Sequence, residues 1–426
     1  MLVEFRVRNF FSIQGEQVFS MVASSDKTFL DSHTNNDKKL TLLKSSVIYG
    51  ANAAGKSNII KALIAMRQII TSSAKSQRGD ELPIMPFVLG SDEDKPTKFE
   101  IIFIQDDIRY QYGFILNTEK ILEEWLLVFS ESNRAQKWFE RIYSEKEKKY
   151  HYTFGAKFLG SKQLWANNTR ENALYLSIAT QFNSKQLKPV FDFFLDNLKI
   201  AAEDHWSDAQ EVTIKLIEKG NTKIINCLKK VDLDIEDIWI KHEELNITEL
   251  IQEKSISQNL KQEKLDNTGR LIKQNIQIIH TDQKGSRVGF NIALESKGTQ
   301  KFFKLIGPWI DTLEKGYLIV IDELNTHFHP LMTKFLVELF HNKELNQHNA
   351  QLIFTTHDTS ILNQDIFRRD QIWFCEKQNK ATKLYPLSDF KVRKDKTNLE
   401  SDYLLGRFGA LPYFKEILSS WSDNGQ

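Results

Sequence analysis

The stretch Val47-Ile48-Tyr49-Gly50-Ala51-Asn52-Ala53-Ala54-Gly55-Lys56-Ser57-Asn58 follows the pattern G-x-x-x-x-G-K-S without deviation. A short apolar run leads into it, and a helix-forming run, Ile59 to Ile70, leads out. Strand, glycine-rich loop and helix together form the setting in which this pattern cradles phosphates. The glycines let successive backbone N–H groups turn toward an anion, and the helix N-terminus behind them adds partial positive charge. On this reading Gly50, Asn52, Ala53, Ala54, Gly55, Lys56, Ser57 and Asn58 form a nucleotide site. Lys56 would reach the β- and γ-phosphates of ATP, and the Ser57 hydroxyl would hold Mg²⁺. The plainer alternative is a Gly/Ala turn ahead of an ordinary helix. Agreement of both flanks favours the nucleotide site.

Working outward, a second apolar run, Tyr317-Leu318-Ile319-Val320-Ile321, ends in Asp322-Glu323. Such a strand end suits the other half of a nucleotide site, with Asp322 in the Mg²⁺ shell and Glu323 polarising the attacking water. A third strand, Gln351 to Thr356, runs directly into His357, where a side chain at a sheet edge can reach a γ-phosphate. Glu295-Ser296-Lys297-Gly298-Thr299-Gln300 precedes a helix, so Ser296 and Gly298 offer either an anion site or a simple cap. Continuous apolar strands alternating with helices predict an α/β fold with a parallel core.

That core is interrupted. Residues 1–155 carry the P-loop and a run of hairpins, at Phe99–Ile104, Tyr110–Leu116, Glu124–Ser130, Lys137–Ile142 and Tyr150–Phe154, which predict an antiparallel sheet. Residues 156–270 have helical spacing at Ala173–Phe182, Val190–Leu198 and Ala209–Val231, and predict an inserted helical lobe. The polar stretch Lys241 to Arg270 reads as a helix exposed on most faces or a disordered linker, with a partly mobile helix favoured. Residues 271–426 return to the core, opening with strands at Ile276–His280 and Arg287–Ala293. Ser24 to Lys39 reads as a mobile loop.

Composition bounds the rest. The 57 basic and 56 acidic residues leave a net charge of +1, so no overall basic excess points to nucleic acid. Lys146, Lys148 and Lys149 form a small basic run whose plain reading is a solvated hairpin tip. Two cysteines, Cys227 and Cys375, far apart in sequence, fit a reduced compartment. The N-terminus alternates like a strand rather than a signal peptide, and no apolar run is long enough to span a bilayer. A cytoplasmic protein without membrane contact is expected.

Taken in order, the P-loop, S-x-G before a helix, apolar-D-E and T-H after the next strand resemble the ABC-class ATPases. More narrowly, the chain is similar to the SMC-like, AAA-labelled ATPases of prokaryotic anti-phage abortive-infection systems, the RloA/AbiLi type and relatives of the OLD nucleases. The resemblance rests on Val7-Arg8-Asn9-Phe10-Phe11-Ser12-Ile13, the P-loop, Glu295 to Thr299, Asp322-Glu323 with His329-Pro330, Thr355 to Asp358, and Tyr403 to Pro412. Of the L-S-G-G-Q signature only Ser296 and Gly298 carry over. The resemblance implies a P-loop NTPase fold of ABC-ATPase type, its mixed sheet split by an antiparallel-β and helical insertion. It implies catalytic roles for Glu323 and His357, Mg²⁺ held by Ser57 and Asp322, and ATP sandwiched in a homodimer or higher homo-oligomer. In that sandwich Ser296 and Gly298 complete the partner copy's site. It further implies a co-encoded toxin or nuclease as partner, with nucleic acid binding left open. An SMC-like DNA-repair ATPase and a nucleotide-gated scaffold without turnover remain alternatives.

Overall fold

A computed structural model describes residues 1–36, 40–90, 95–129, 134–201, 206–230, 235–244, 263–265, 271–391 and 398–412. The chain divides into two compact units. The first holds residues 1–200, 315–325 and 333–426, and the second holds residues 201–314 and 326–332.

The first unit contains two large sheets. One is antiparallel, built from β1 (Leu2–Arg8), β2 (Gln17–Ser20) and the hairpin strands β6 (Thr97–Gln105), β7 (Ile108–Leu116), β8 (Ile121–Phe129), β9 (Ala135–Ser144) and β10 (Lys149–Phe154), in the order β10-β9-β8-β7-β6-β1-β2. A small hairpin pairs β3 (Thr34–Asn36) with β4 (Thr41–Leu43). It occupies part of the segment read from sequence as a loop, and a short helix, Leu30–His33, precedes it.

The second sheet carries the P-loop. Its order is β11-β16-β17-β5-β18-β19, from β5 (Ser45–Tyr49), β11 (Leu198–Ala201), β16 (Leu318–Ile321), β17 (Gln351–Thr355), β18 (Ile372–Gln378) and β19 (Ala381–Pro386). β16, β17, β5 and β18 are mutually parallel, and β19 returns antiparallel to β18 through a tight turn. Every residue of β5, β16 and β17 is buried, as strands covered on both faces must be. The helix Lys56–Ser72 buries Ile59, Ile60, Ala62, Leu63, Met66, Ile69 and Ile70 at three- and four-residue spacing. These side chains share one core with Phe99, Ile101 and Phe103 of the antiparallel sheet.

The short helices Lys162–Asn167, Tyr175–Gln181 and Lys188–Asp192 belong to the first unit, although residues 156–270 read from sequence as the inserted lobe. The reason is a buried carboxylate. Glu124 of β8 accepts the N–H groups of Tyr175 (2.6 Å) and Leu176 (3.0 Å) at a helix start, and the Tyr112 hydroxyl at 3.0 Å. Arg141 lies 3.7 Å away and donates to the Ala173 carbonyl, so the pair fixes these helices to the sheet. Val190–Leu198, read as one helix, is a short helix, a π-turn over Phe193–Asn197 and the start of β11.

The second unit has its own four-stranded antiparallel sheet: β12 (Asp237–Glu244), β14 (Leu271–Thr281), β13 (Glu263–Leu265) and β15 (Arg287–Asn291). The strands expected to reopen the parallel core near residue 276 are therefore strands of this separate sheet, and the core resumes at β16. Lys241–Glu244, read as helix, is the end of β12, which pairs residue for residue with β14. Most of the remaining stretch to Arg270 lies outside the described residues. Ala209–Val231 is two helices, Trp206–Glu218 and Thr222–Lys230. The helix Lys297–Lys315 contains Pro308, which cannot donate to the Lys304 carbonyl. The Thr213 hydroxyl inserts at this turn, accepting the Gly307 N–H (3.1 Å) and donating to the Phe303 carbonyl (2.9 Å), with the Lys304 carbonyl 3.3 Å away.

Candidate functional site

The P-loop leaves β5 at Gly50 and enters its helix at Gly55. Gly50 has φ 155°, and a Cβ there would sit 2.2 Å from the Cys375 carbonyl oxygen. Gly55 has φ 106°, and a Cβ there would sit 2.0 Å from Thr382 Oγ1. Both positions demand glycine on space and on backbone conformation. Ala53 between them is also left-handed, at φ 60°. Alternation of this kind turns consecutive N–H groups to one side, as an anion-binding nest requires.

The loop is held from below by residues distant in sequence. The Thr382 hydroxyl donates to the Ala54 carbonyl (2.9 Å) and pairs with Ser12 Oγ (2.6 Å). Asn58 donates to the same Ser12 oxygen at 2.6 Å. Burial pushes the Cys375 thiol up to about 12, so it stays protonated, 3.4 Å from the Ala54 carbonyl.

Lys56 is only 5% exposed. Its ammonium donates to the Gly50 carbonyl (2.8 Å), the Ala51 carbonyl (3.0 Å) and His357 Nδ1 (3.4 Å). Burial lowers its pKa from the ordinary lysine value, and the Glu323 and Asp322 carboxylates oppose that shift. A phosphate would supply the full counter-charge this ammonium lacks.

The carboxylates follow β16, where Thr355 of the neighbouring strand orders them. Its hydroxyl donates to Asp322 Oδ1 (2.5 Å) and accepts the Glu323 N–H (2.7 Å). Glu323 is left-handed, at φ 51°. Such a conformation in a non-glycine residue persists where surroundings fix it, and here it turns the side chain toward His357. Glu323 Oε1 lies 3.5 Å from His357 Nε2. Burial and the Lys56 charge lower the His357 pKa, with Glu323 opposing, so the ring is neutral at neutral pH. Asn325 steadies the turn by accepting from the Thr356 hydroxyl at 2.9 Å.

The result is a cleft of ≈ 430 Å³ lined by Asn52, Ala53, Gly55, Lys56, Ser57, Asn58, Glu323, His357 and Lys377. Gly50, Ala54 and Asp322 do not line it; Asp322 accepts from the Thr355 hydroxyl. A hydroxyl and a carboxylate, Ser57 and Asp322, are the hard oxygen donors that Mg²⁺ takes. Ser296 and Gly298 belong to the second unit. Ser296 Oγ accepts the Thr299 N–H at 3.1 Å and so caps the helix Lys297–Lys315. Thr355, Asn325, Ser12, Thr382 and Lys377 were not singled out from sequence. Ser12 and Thr355 lay within quoted motifs, whereas Lys377 and Thr382 gave no local signal.

A glycine-rich loop between a buried strand and a helix, with Asp322-Glu323 ending the next strand but one of the same parallel sheet, defines a P-loop NTPase fold. More particularly, residues 45–363 match the family described as AAA domain, putative AbiEii toxin, Type IV TA system, and the chain belongs to that family. No curated protein matches the chain. Among solved structures, it aligns with the SMC head domain from Thermotoga maritima at 11% identity and a TM-score of 0.34, covering 92% of this chain and 99% of that one. It aligns with the recombination mediator protein RecF bound to ATP at 14% identity and a TM-score of 0.34, covering 90% and 97%. Among the described residues, no helix is long and apolar enough to cross a membrane.

Proposed function

We propose that this chain is an ATP-hydrolysing switch. The carrying observation is the convergence of Lys56, Ser57, Glu323 and His357 on one cleft from three separate strands. In this reading the loop N–H groups and Lys56 bind the triphosphate. Ser57 and Asp322 hold Mg²⁺, which neutralises phosphate charge when bound. Glu323 orients and deprotonates water, and neutral His357, its Nδ1 accepting from Lys56, would donate from Nε2 to the γ-phosphate region.

Two copies would enclose two nucleotides, with Ser296 and Gly298 of one completing the site of the other. Binding closes this pair and hydrolysis opens it. The family description, with its toxin and toxin–antitoxin terms, supports a place in anti-phage abortive infection, and the quoted motifs support the RloA/AbiLi type within it. The switch would then control a co-encoded toxin or nuclease. Isothermal titration of the Mg²⁺ complex of a non-hydrolysable ATP analogue tests the foundation. Lys56→Ala is expected to abolish detectable binding, because a buried charge partner to the phosphates is lost. Unchanged affinity in that variant would sink the site assignment.

A further inference from the structure

β18 ends beside the P-loop with a side chain that the proposed reaction leaves unused. It runs parallel to β5, with Ile372, Trp373 and Phe374 opposite Val47, Ile48 and Tyr49. β5 stops at Tyr49, where the chain turns into the loop, while β18 continues to Gln378. Its next residue, Cys375, presses its carbonyl against Gly50 and its thiol against the Ala54 carbonyl. Side chains alternate along a strand, so Lys377 stands on the same face as Cys375, two residues further along the loop. Across the hairpin Lys377 is paired with Thr382, the residue whose hydroxyl holds Ala54. Both strands thus deliver this position to the wall of the cleft that Asn52 and Ala53 also line.

The charges sharpen the point. Lys56 is engaged by two loop carbonyls and His357. Lys377 is exposed, and among the described residues no carboxylate pairs with it. The cleft therefore carries two ammonium groups against one carboxylate, Glu323. That excess suits a polyanion better than a neutral ligand.

We propose that Lys377 is a second phosphate-binding cation of this cleft, contacting the polyphosphate chain from the β18 wall and setting preference by phosphate number. The proposal rests on the nucleotide reading above. Its test is fluorescence titration with ATP, ADP and AMP, each as the Mg²⁺ complex, at low and moderate salt. The chains compared are the parent, Lys56→Ala, Lys377→Ala, Lys377→Arg, Lys377→Glu and the hairpin-turn control Lys380→Gln. Lys377→Ala should weaken ATP roughly ten-fold, as expected for one charge-assisted hydrogen bond, ADP less, and AMP hardly at all. Lys377→Arg should restore affinity, Lys377→Glu should weaken ATP further, and the control should match the parent. The salt dependence of ATP binding should become shallower in Lys377→Ala. Melting curves without nucleotide should coincide, since the side chain is exposed. ATP affinity within about two-fold of the parent in both Lys377→Ala and Lys377→Glu overturns the proposal. Equal losses for ATP and AMP overturn it too, since they assign the contact to base or ribose. A parent chain that binds no ATP brings down the nucleotide reading and this proposal together. Loss in Lys56→Ala with none at Lys377 brings down the proposal alone.

Discussion

The P-loop and the segment ahead of Lys297–Lys315 both lead into helices, and they differ in how the helix N-terminus is satisfied. At the P-loop, Gly55 occupies the cap position of Lys56–Ser72 and supplies no side-chain acceptor. Ahead of Lys297–Lys315, Ser296 supplies one, 3.1 Å from the Thr299 N–H. The first terminus is left for an outside anion, with a buried ammonium beside it. The second already has its acceptor. A helix N-terminus alone is therefore not a phosphate site; what distinguishes the two is whether the chain spends its own oxygen on the cap. In the proposed sandwich the second terminus works only when a nucleotide from another copy meets it.

Glu323→Gln probes the completed half most severely. It should keep ATP binding and lower steady-state hydrolysis by roughly 10²–10⁴-fold, the usual range for a lost general base. Phosphate release at the parental rate would remove Glu323 from that role. The capped half is probed by Ser296→Arg, expected to bind ATP normally and to lose about ten-fold or more of the turnover through blocked closure. Mixing it with Lys56→Ala should give more activity than the two chains show separately, since a mixed dimer retains one intact composite site. Ser296→Asp keeps the cap, because aspartate caps as well as serine, yet sets a negative charge toward any facing phosphate. It should melt like the parent and still lose turnover. Full activity in both variants would leave Ser296 as a helix cap and nothing more.

A smaller effect separates support from chemistry beneath the P-loop. Thr382→Val removes a buried hydroxyl that bonds both Ala54 and Ser12. It should destabilise the fold by about 1–3 kcal/mol in denaturant titration, with hydrolysis per folded molecule little changed.

The smallest effect concerns pH, where His33 and His341 stack with ring centroids 3.6 Å apart, both buried. His341 Nε2 bonds Ser45 at the start of β5, and His33 Nε2 bonds the Ile366 carbonyl. Burial lowers His33 from 6.5 to about 4, and burial together with His33 and Lys44 lowers His341 well below the ordinary histidine value. Both folded values lie below the unfolded ones, so the unfolded chain takes up protons first as pH falls. The stability this pair contributes is therefore fully present above pH 6.5 and is lost as pH falls below it toward 4. Urea titrations of parent and His341→Gln across that window should differ in slope, the variant being flatter. Parallel slopes would mean that His341 titrates alike in both states.

The sequence by itself determined the P-loop, the buried strands that flank it, Asp322-Glu323 at a strand end and His357 past the next one. Each is a local pattern: apolar runs fix buried strands, and the glycine spacing reflects backbone conformations that other residues strain to adopt. Tertiary structure decided what those patterns could not carry. Ser12 and Thr382 meet under the loop although 370 residues separate them. Thr355 orders the carboxylates from a different strand, and Lys377 reaches the cleft only because β18 outruns β5. The same cause moved the unit boundary, since Glu124 ties the helices after residue 160 to the first sheet through contacts about 50 residues apart, 51 for Tyr175 and 52 for Leu176. Hydrogen bonds between remote polar side chains leave no periodicity in sequence, because register and packing bring the partners together only after the strands have paired.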